Sequence, residues 1–385
     1  MRLSLLHLVA QAEPLLVQRP RIDPPQRILV IKPDHLGDVL LATPALHRLR
    51  LCYPHATIVA LVGPWSAMML AGNPDIDRRL TLPFPGFHRS QQQAGPHLQP
   101  VLLLLRYALL LRRNRFDLAL LFRDDHWWGA LLALLAGIPR REGYAVPPCR
   151  PFLTRSLRWL PAEHVTEQAL ALVDPATPPD VQMHPLHFKP TQTDIDWLQR
   201  WLIEQRIPPA QPLVVIHAGT GGMTKLWLAE RWAMVADALS EQLDVRIVLT
   251  GTAAEAPMVQ HLTTAMHAEP LLLIGTTSIG QLAALCQRAS LVMGVDSGPL
   301  HLAVSQRTPT IHLYGPSDAG RFGPWGPTER HVVVRSGLWC SPCGVFDTCP
   351  RGTSPAECME HIQPDSVFQL ALGLLRQSTV SASNV

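Results

Sequence analysis

Two α/β domains, each a parallel sheet covered by helices on both faces, are predicted by three features of the sequence. Short aliphatic runs such as "RILVI" (27–31), "TIVALVG" (57–63) and "DLALLF" (117–122) alternate with longer helical patterns. After its first residue each run is apolar without alternation, as a strand buried on both faces must be. The rhythm stops in "PATPPDVQMHPLHFKPTQTD" (175–194), a proline-rich stretch that reads as a linker, and then restarts. A chain of 385 residues with 47% hydrophobic content is also long enough to bury two cores of ordinary size.

Residues 1–26 hold one early basic residue, a short apolar run and only a weak cleavage site, so an N-terminal arm is expected in place of a signal peptide. The first domain, 27–185, begins with "RILVI" and a helix over Leu36 to Leu51. Then come "TIVALVG", a short helix, "RRLTL", a long apolar helix over 98–113 and "DLALLF". The second domain, 186–376, runs "PLVVIHAG" (212–219), a helix over 228–242, "VRIVLTG" (245–251), a helix over 254–267, "LLLIG" (271–275), a helix over 278–288, "LVMGVD" (291–296) and "TPTIHLYG" (308–315). The polar end, 377–385, is expected to be a flexible tail.

The net charge is +3, unevenly spread: residues 1–190 hold 21 Lys and Arg against 14 Asp and Glu, and residues 191–385 hold 12 against 16. The basic half suits an anionic partner. With no aromatic interleaving and no recognisable nucleic-acid module, DNA and RNA are excluded as partners. No stretch reaches the roughly 18 uninterrupted apolar residues of a spanning helix. The pieces 101–115 and 127–141 read as core helices, whose ends at Arg112, Arg113, Arg115, Arg140 and Arg141 could approach anionic lipid or an acidic acceptor.

Ligands of open α/β sheets sit at the carboxyl ends of strands, so the motifs there carry the functional argument. After the first strand, "IKPDHLGDVLLATPAL" (31–46) puts Asp38 in a first helical turn, where a carboxylate serves either as a cap or as a general base. Asp34 and His35 in the same loop are candidates to share that role. "HAGTGGMTKLW" (217–227) offers a glycine-rich backbone with Thr220 and Lys225 as donors to phosphate oxygens, without Walker A spacing. Lys225 is one of three lysines beside 30 arginines. "GVDSGPLHLA" (294–303) ends a buried strand at Asp296 and opens a helix at Ser297 and Gly298, an anion site with His301 one turn in. A carboxylate repels phosphate, so Asp296 is expected to hold ribose hydroxyls or to orient the loop. No G-x-G-x-x-G follows the first strand, which argues against a nicotinamide oxidoreductase.

In sequence order, "RILVIKPDHLGDVLLATPAL", "VVIHAGTGGMTKLWLAERWAMVADAL", "VLTGTAAEAPMV" and "LVMGVDSGPLHLAVSQRTPTIHLYGPSDAGRFGPWG" resemble successive blocks of glycosyltransferase family 9, the heptosyltransferases of lipopolysaccharide core assembly. The resemblance covers roughly residues 27 to 326 and implies a GT-B architecture of two Rossmann-like domains facing each other across a cleft. The acceptor would lie on the first and the nucleotide-sugar on the second. It also implies inverting, metal-independent transfer from a donor such as ADP-heptose to a lipopolysaccharide or other glycan acceptor, in the cytoplasm or peripherally on the inner membrane. By the same resemblance Asp38 is the catalytic base, Lys225 and the loop of Thr220 contact the diphosphate, and Glu255 lies near the ribose. Asp296, Ser297, Gly298 and His301 form the nucleotide-sugar site. A nucleotide-sugar epimerase on the same frame, or a non-catalytic binding relative, are the alternatives.

Cys340, Cys343, Cys349 and Cys358 fall in "CSPCGVFDTCPRGTSPAEC", whose leading C-x2-C pair suits a structural zinc while the second pair does not. Reduced thiols in a compact loop are the favoured expectation, and no cofactor is expected.

Overall fold

A computed structural model describes residues 6, 7, 9–87 and 99–382. The chain divides into two compact units, Met1–Asp180 and Val181–Val385.

The sheet of the first unit contains β1 (Arg27–Lys32), β2 (Thr57–Val62), β3 (Arg78–Thr81), β4 (Leu118–Leu121), β5 (Arg140–Tyr144) and β6 (Arg155–Leu157). All are parallel, in the order β3-β2-β1-β4-β5-β6. The second sheet contains β7 (Leu213–His217), β8 (Arg246–Gly251), β9 (Leu271–Ile274), β10 (Leu291–Val295), β11 (Thr310–Leu313) and β12 (His331–Val334), also parallel, in the order β12-β11-β10-β7-β8-β9. Each chain path winds outward from its first strand, returns, and continues on that strand's other side. The order therefore reverses between β1 and β4 in one unit and between β7 and β10 in the other. At such a switch point the connections diverge and leave a crevice beyond the strand ends.

Helices α1 (Leu36–Leu41), α2 (Thr43–Cys52), α3 (Gln99–Arg113), α4 (Trp127–Leu135) and α5 (Val165–Val173) belong to the first unit. The second contains α6 (Gln192–Glu204), α7 (Ala229–Gln242), α8 (Ala256–Ala265), α9 (Ile279–Arg288), α10 (Gly298–Ser305) and α11 (Pro364–Ala382). The first core joins Leu29, Ile31, Ala119 and Leu121 to Leu104, Leu111 and Leu132. In the second, Trp232 is fully buried edge-on to Trp227, with ring centroids 4.8 Å apart, and Val367, Phe368 and Leu372 of α11 close the same core.

Several expectations are corrected. The helix over Leu36 to Leu51 is two helices, because Pro44 has no N–H to give and Thr43 Oγ1 instead donates to Leu40 O at 2.7 Å. The apolar piece 127–141 is not one helix. It turns at Gly137, whose φ of +71° favours glycine, and Arg140 and Arg141 lie on β5. Neither arginine is a free helix end. Arg141 is fully buried, donating to Phe152 O and Ile138 O at 2.6 Å each and to Glu13 Oε1 at 2.8 Å; Arg140 pairs with Asp23 and Glu142. The arm before Arg27 is thus bound to the first unit, also through Arg19 and Asp117 at 2.7 Å. The expected tail from 377 begins too early. With no proline to break it, α11 continues through Ala382; 383–385 lie outside the described residues.

Candidate functional site

The β1–β4 switch point gathers the loop Pro33 to His35, the first turn of α1 and the segment Arg123 to His126. Asp34 is 2% exposed and lies 3.1 Å from Lys32 Nζ through Oδ2, without an aligned hydrogen bond, while Arg123 Nη1 holds its Oδ1. Burial would raise the pKa of Asp34, but Lys32 and Arg123 outweigh it and bring it down to about 2. Lys32 also donates to Phe122 O at 3.1 Å. Arg123 commits its other edge to Asp125, at 2.6 and 3.2 Å, and its face to the Phe87 ring at 5.1 Å. Asp34 therefore has neither the proton affinity nor the access of a general base. Asp38 lies in the first turn of α1 and is partly exposed.

Aromatic rings line the same end of the sheet. Trp65 Nε1 donates to Asp34 O at 3.0 Å, and the Trp65 and Phe87 rings stack at 6.4 Å. His35, partly exposed, packs on both, at 6.2 and 6.4 Å. His126 is buried against Phe84 and Phe87, with neither ring nitrogen hydrogen-bonded among the described residues. Burial pushes its pKa down to about 4, so the ring is neutral.

At the β7–β10 switch point, Lys225 Nζ meets Asp296 Oδ2 at 2.8 Å and Ser317 Oγ donates to the same oxygen at 2.5 Å. Burial works against ionisation of Asp296, but Lys225, Ser317 and the neighbouring His301 bring its pKa below the ordinary value. Thr220 Oγ1 donates to Asp296 O at 3.1 Å and ties the glycine-rich loop to the β10 exit. Asp296 thus orients Lys225 and the loop. The ammonium has three donors and this contact uses one.

Ser297 leads into α10 without capping it, and its buried Oγ has no partner among the described residues. Gly298 opens the helix. His301 is buried: it lies 6.0 Å from the His312 ring, burial pushes its pKa down to about 4, and its Nδ1 has no partner among the described residues. Glu255 caps its own turn at the β8 exit, accepting from Thr252 N at 2.7 Å and Thr252 Oγ1 at 2.9 Å. Its carboxylate also packs over Gly219, where a Cβ would lie 2.1 Å from Oε1, so a side chain there would push that carboxylate aside.

The cysteine-rich segment has a part that sequence reasoning missed. Val345 O accepts from Thr224 Oγ1 at 2.8 Å, Phe346 O accepts from Thr224 N at 3.2 Å, and the Phe346 ring lies 4.6 Å from Lys225 Nζ. Cys340, Cys343, Cys349 and Cys358 are free thiols lining one small cavity of about 60 Å³. Among the described residues no group of three or more His, Cys, Asp or Glu is arranged to hold a metal ion. Phe346 and Ser317 fall within the quoted stretches 340–358 and 291–326, but no pattern there singles them out; only the geometry shows their contacts. Arg123 gave a faint sequence signal, as a charge directly after an apolar strand.

The family model described as glycosyltransferase family 9 (heptosyltransferase) matches residues 104–350. Lipopolysaccharide heptosyltransferase 3 of Escherichia coli strain K12 is 28% identical over 315 residues, covering 78% of this chain and 85% of that protein. Among solved structures, a family 9 glycosyl transferase from Veillonella parvula DSM 2008 superposes with a TM-score of 0.74 at 24% identity, covering 91% of this chain and 98% of the other. The E. coli ADP-heptose lps heptosyltransferase II does so with 0.70 at 21% identity, covering 92% and 99%.

Proposed function

The chain belongs to glycosyltransferase family 9, and from that premise we propose that it transfers a heptose from ADP-heptose to a sugar of the lipopolysaccharide core, with inversion and without a metal ion. The observation that carries this reading is Lys225, held by Asp296 at the β7–β10 switch point beside the uncapped start of α10. Departure of ADP builds charge on its phosphates. An ammonium with donors to spare and the free N–H groups of a helix start stabilise that charge where it forms. Thr220 and Ser297 supply hydroxyls to the diphosphate, Gly298 lets it approach the backbone, His301 bounds the sugar, and Glu255 lies toward the ribose.

In this mechanism Asp38 takes the proton of the acceptor hydroxyl as its oxygen attacks the anomeric carbon from the face opposite the leaving ADP. Asp34, fixed by Lys32 and Arg123, holds the loop. One displacement inverts the centre. Lipid-linked acceptors of this kind place the work at the cytoplasmic face of a membrane. Among the described residues no helix is long and apolar enough to cross one.

Incubation with ADP-heptose, with and without a lipid A–inner core acceptor, tests the proposal. Acceptor-dependent release of ADP and a heptosylated product, both persisting in EDTA, are expected. Conversion of the donor without acceptor would replace the reading by an epimerase, and binding without turnover by a non-catalytic protein.

A further inference from the structure

The outer face of α3 and the arginines at its end carry a second inference, which rests on the acceptor being lipid-linked. Only Leu104, Ala108 and Leu111 of this helix are buried. Leu102, Leu105 and Leu109, spaced i, i+3 and i+7, form an outward stripe 64%, 49% and 66% exposed, with Val101 and Leu110 exposed beside it. A soluble protein gains nothing by leaving so many leucines on one helix face in water. The helix ends at Arg112 and Arg113, which with Arg19, Arg115 and Leu109 line a cavity of about 500 Å³. Among the described residues no carboxylate pairs with Arg112, Arg113 or Arg115. Arg115 precedes β4 and Gly137, on the cavity's wall, precedes β5, so the arginines lie at the amino ends of the strands. Asp34 and Asp38 lie at the opposite, carboxyl ends, so an occupant of the cavity leaves them free.

We propose that this face docks on a bilayer bearing anionic headgroups: the leucine stripe enters the acyl boundary and the arginine cavity takes a lipid phosphate. Charge decides for this occupant. A second copy of the chain would bring the same unpaired arginines against these, whereas an anionic leaflet neutralises them, and aliphatic side chains beside arginines match the two layers of a membrane surface.

Flotation with vesicles of phosphatidylglycerol and phosphatidylethanolamine is the test, with phosphatidylcholine vesicles as the neutral comparison. Wild type should float with the anionic vesicles, stay behind with the neutral ones, and release as salt rises. The triple variant L102S/L105S/L109S should bind more than about a hundred-fold more weakly. Replacing Arg112, Arg113 and Arg115 by Ala should cost about five-fold per arginine. Both variants alter exposed side chains, so their melting temperature and ADP affinity should match wild type, and transfer to a deacylated, water-soluble acceptor should persist. Loss of that soluble transfer in wild type would overturn the heptosyltransferase reading and not this one. Variants that float like wild type, wild type that ignores anionic vesicles, or a dimer abolished by the leucine substitutions with vesicle binding intact would each overturn the docking surface.

Discussion

The two switch points repeat one layout with opposite openness. Each pairs an aspartate just past a central strand with a cation, and each keeps a neutral, buried histidine nearby, His126 in one and His301 in the other. In the first unit the Asp34 side chain is 3% exposed and shared by two cations, and Arg123 has spent both its edges and its face. In the second unit Asp296 serves one cation, and Lys225 remains 18% exposed with donors unused. The closed pair is a fixed support for the loop that carries Asp38; the open pair is the one proposed above to receive anionic charge. A buried ion pair adds little net stability once both charges are desolvated, but removing one partner is expensive. The same residue types therefore have different consequences on the two sides.

The comparison is broken most directly at the β1–β4 switch point. Asp38→Asn should lower turnover roughly 10²- to 10⁴-fold in a steady-state transfer assay with ADP affinity unchanged, because the loss falls on proton transfer. An active variant would return the base to His35. Next in size is the closed pair. Asp34→Asn leaves Lys32 and Arg123 uncompensated and should cost about 3–5 kcal/mol in denaturant unfolding. The pH dependence sharpens this. The folded pKa of Asp34 lies near 2, below its ordinary 3.8, so its contribution is complete above about pH 4 and is lost as pH falls through 2; it amounts to about 2 kcal/mol. Wild type should show that acid loss and Asp34→Asn should not. The smallest effect belongs to the open pair's lid: Phe346→Leu removes the ring over Lys225 and should weaken ADP binding about two- to five-fold, with Phe346→Tyr restoring it.

The sequence made the sheets legible wherever strands are buried on both faces, because β1, β4, β7 and β10 have mainly aliphatic cores with no polar alternation. It hid β5 and β6, whose residues are largely arginine, glycine and serine, since their pairing comes from neighbours and not from their own propensity. The helices α5 and α6 are masked in the sequence by the proline-rich stretch that they flank. Lys225 and Asp296 could be singled out because motif residues at strand ends carry a chemical signature. That they touch could not, for 70 residues separate them and only the β7–β10 adjacency joins them. The closure of Asp34 depends in the same way on β1 lying beside β4, which brings Arg123 over from 89 residues away. Phe346 lies in a cysteine-rich loop, and its contact with Lys225 spans 121 residues of sequence that no local pattern connects.

The claim that the open pair receives the diphosphate is tested most directly by calorimetric titration of wild type and Lys225→Ala with ADP and with adenosine. Loss of a charge-assisted contact worth roughly 1.5–3 kcal/mol should weaken ADP binding about ten- to a hundred-fold and leave adenosine binding unchanged. Equal ADP affinity in the two proteins would contradict the account and move the diphosphate away from Lys225.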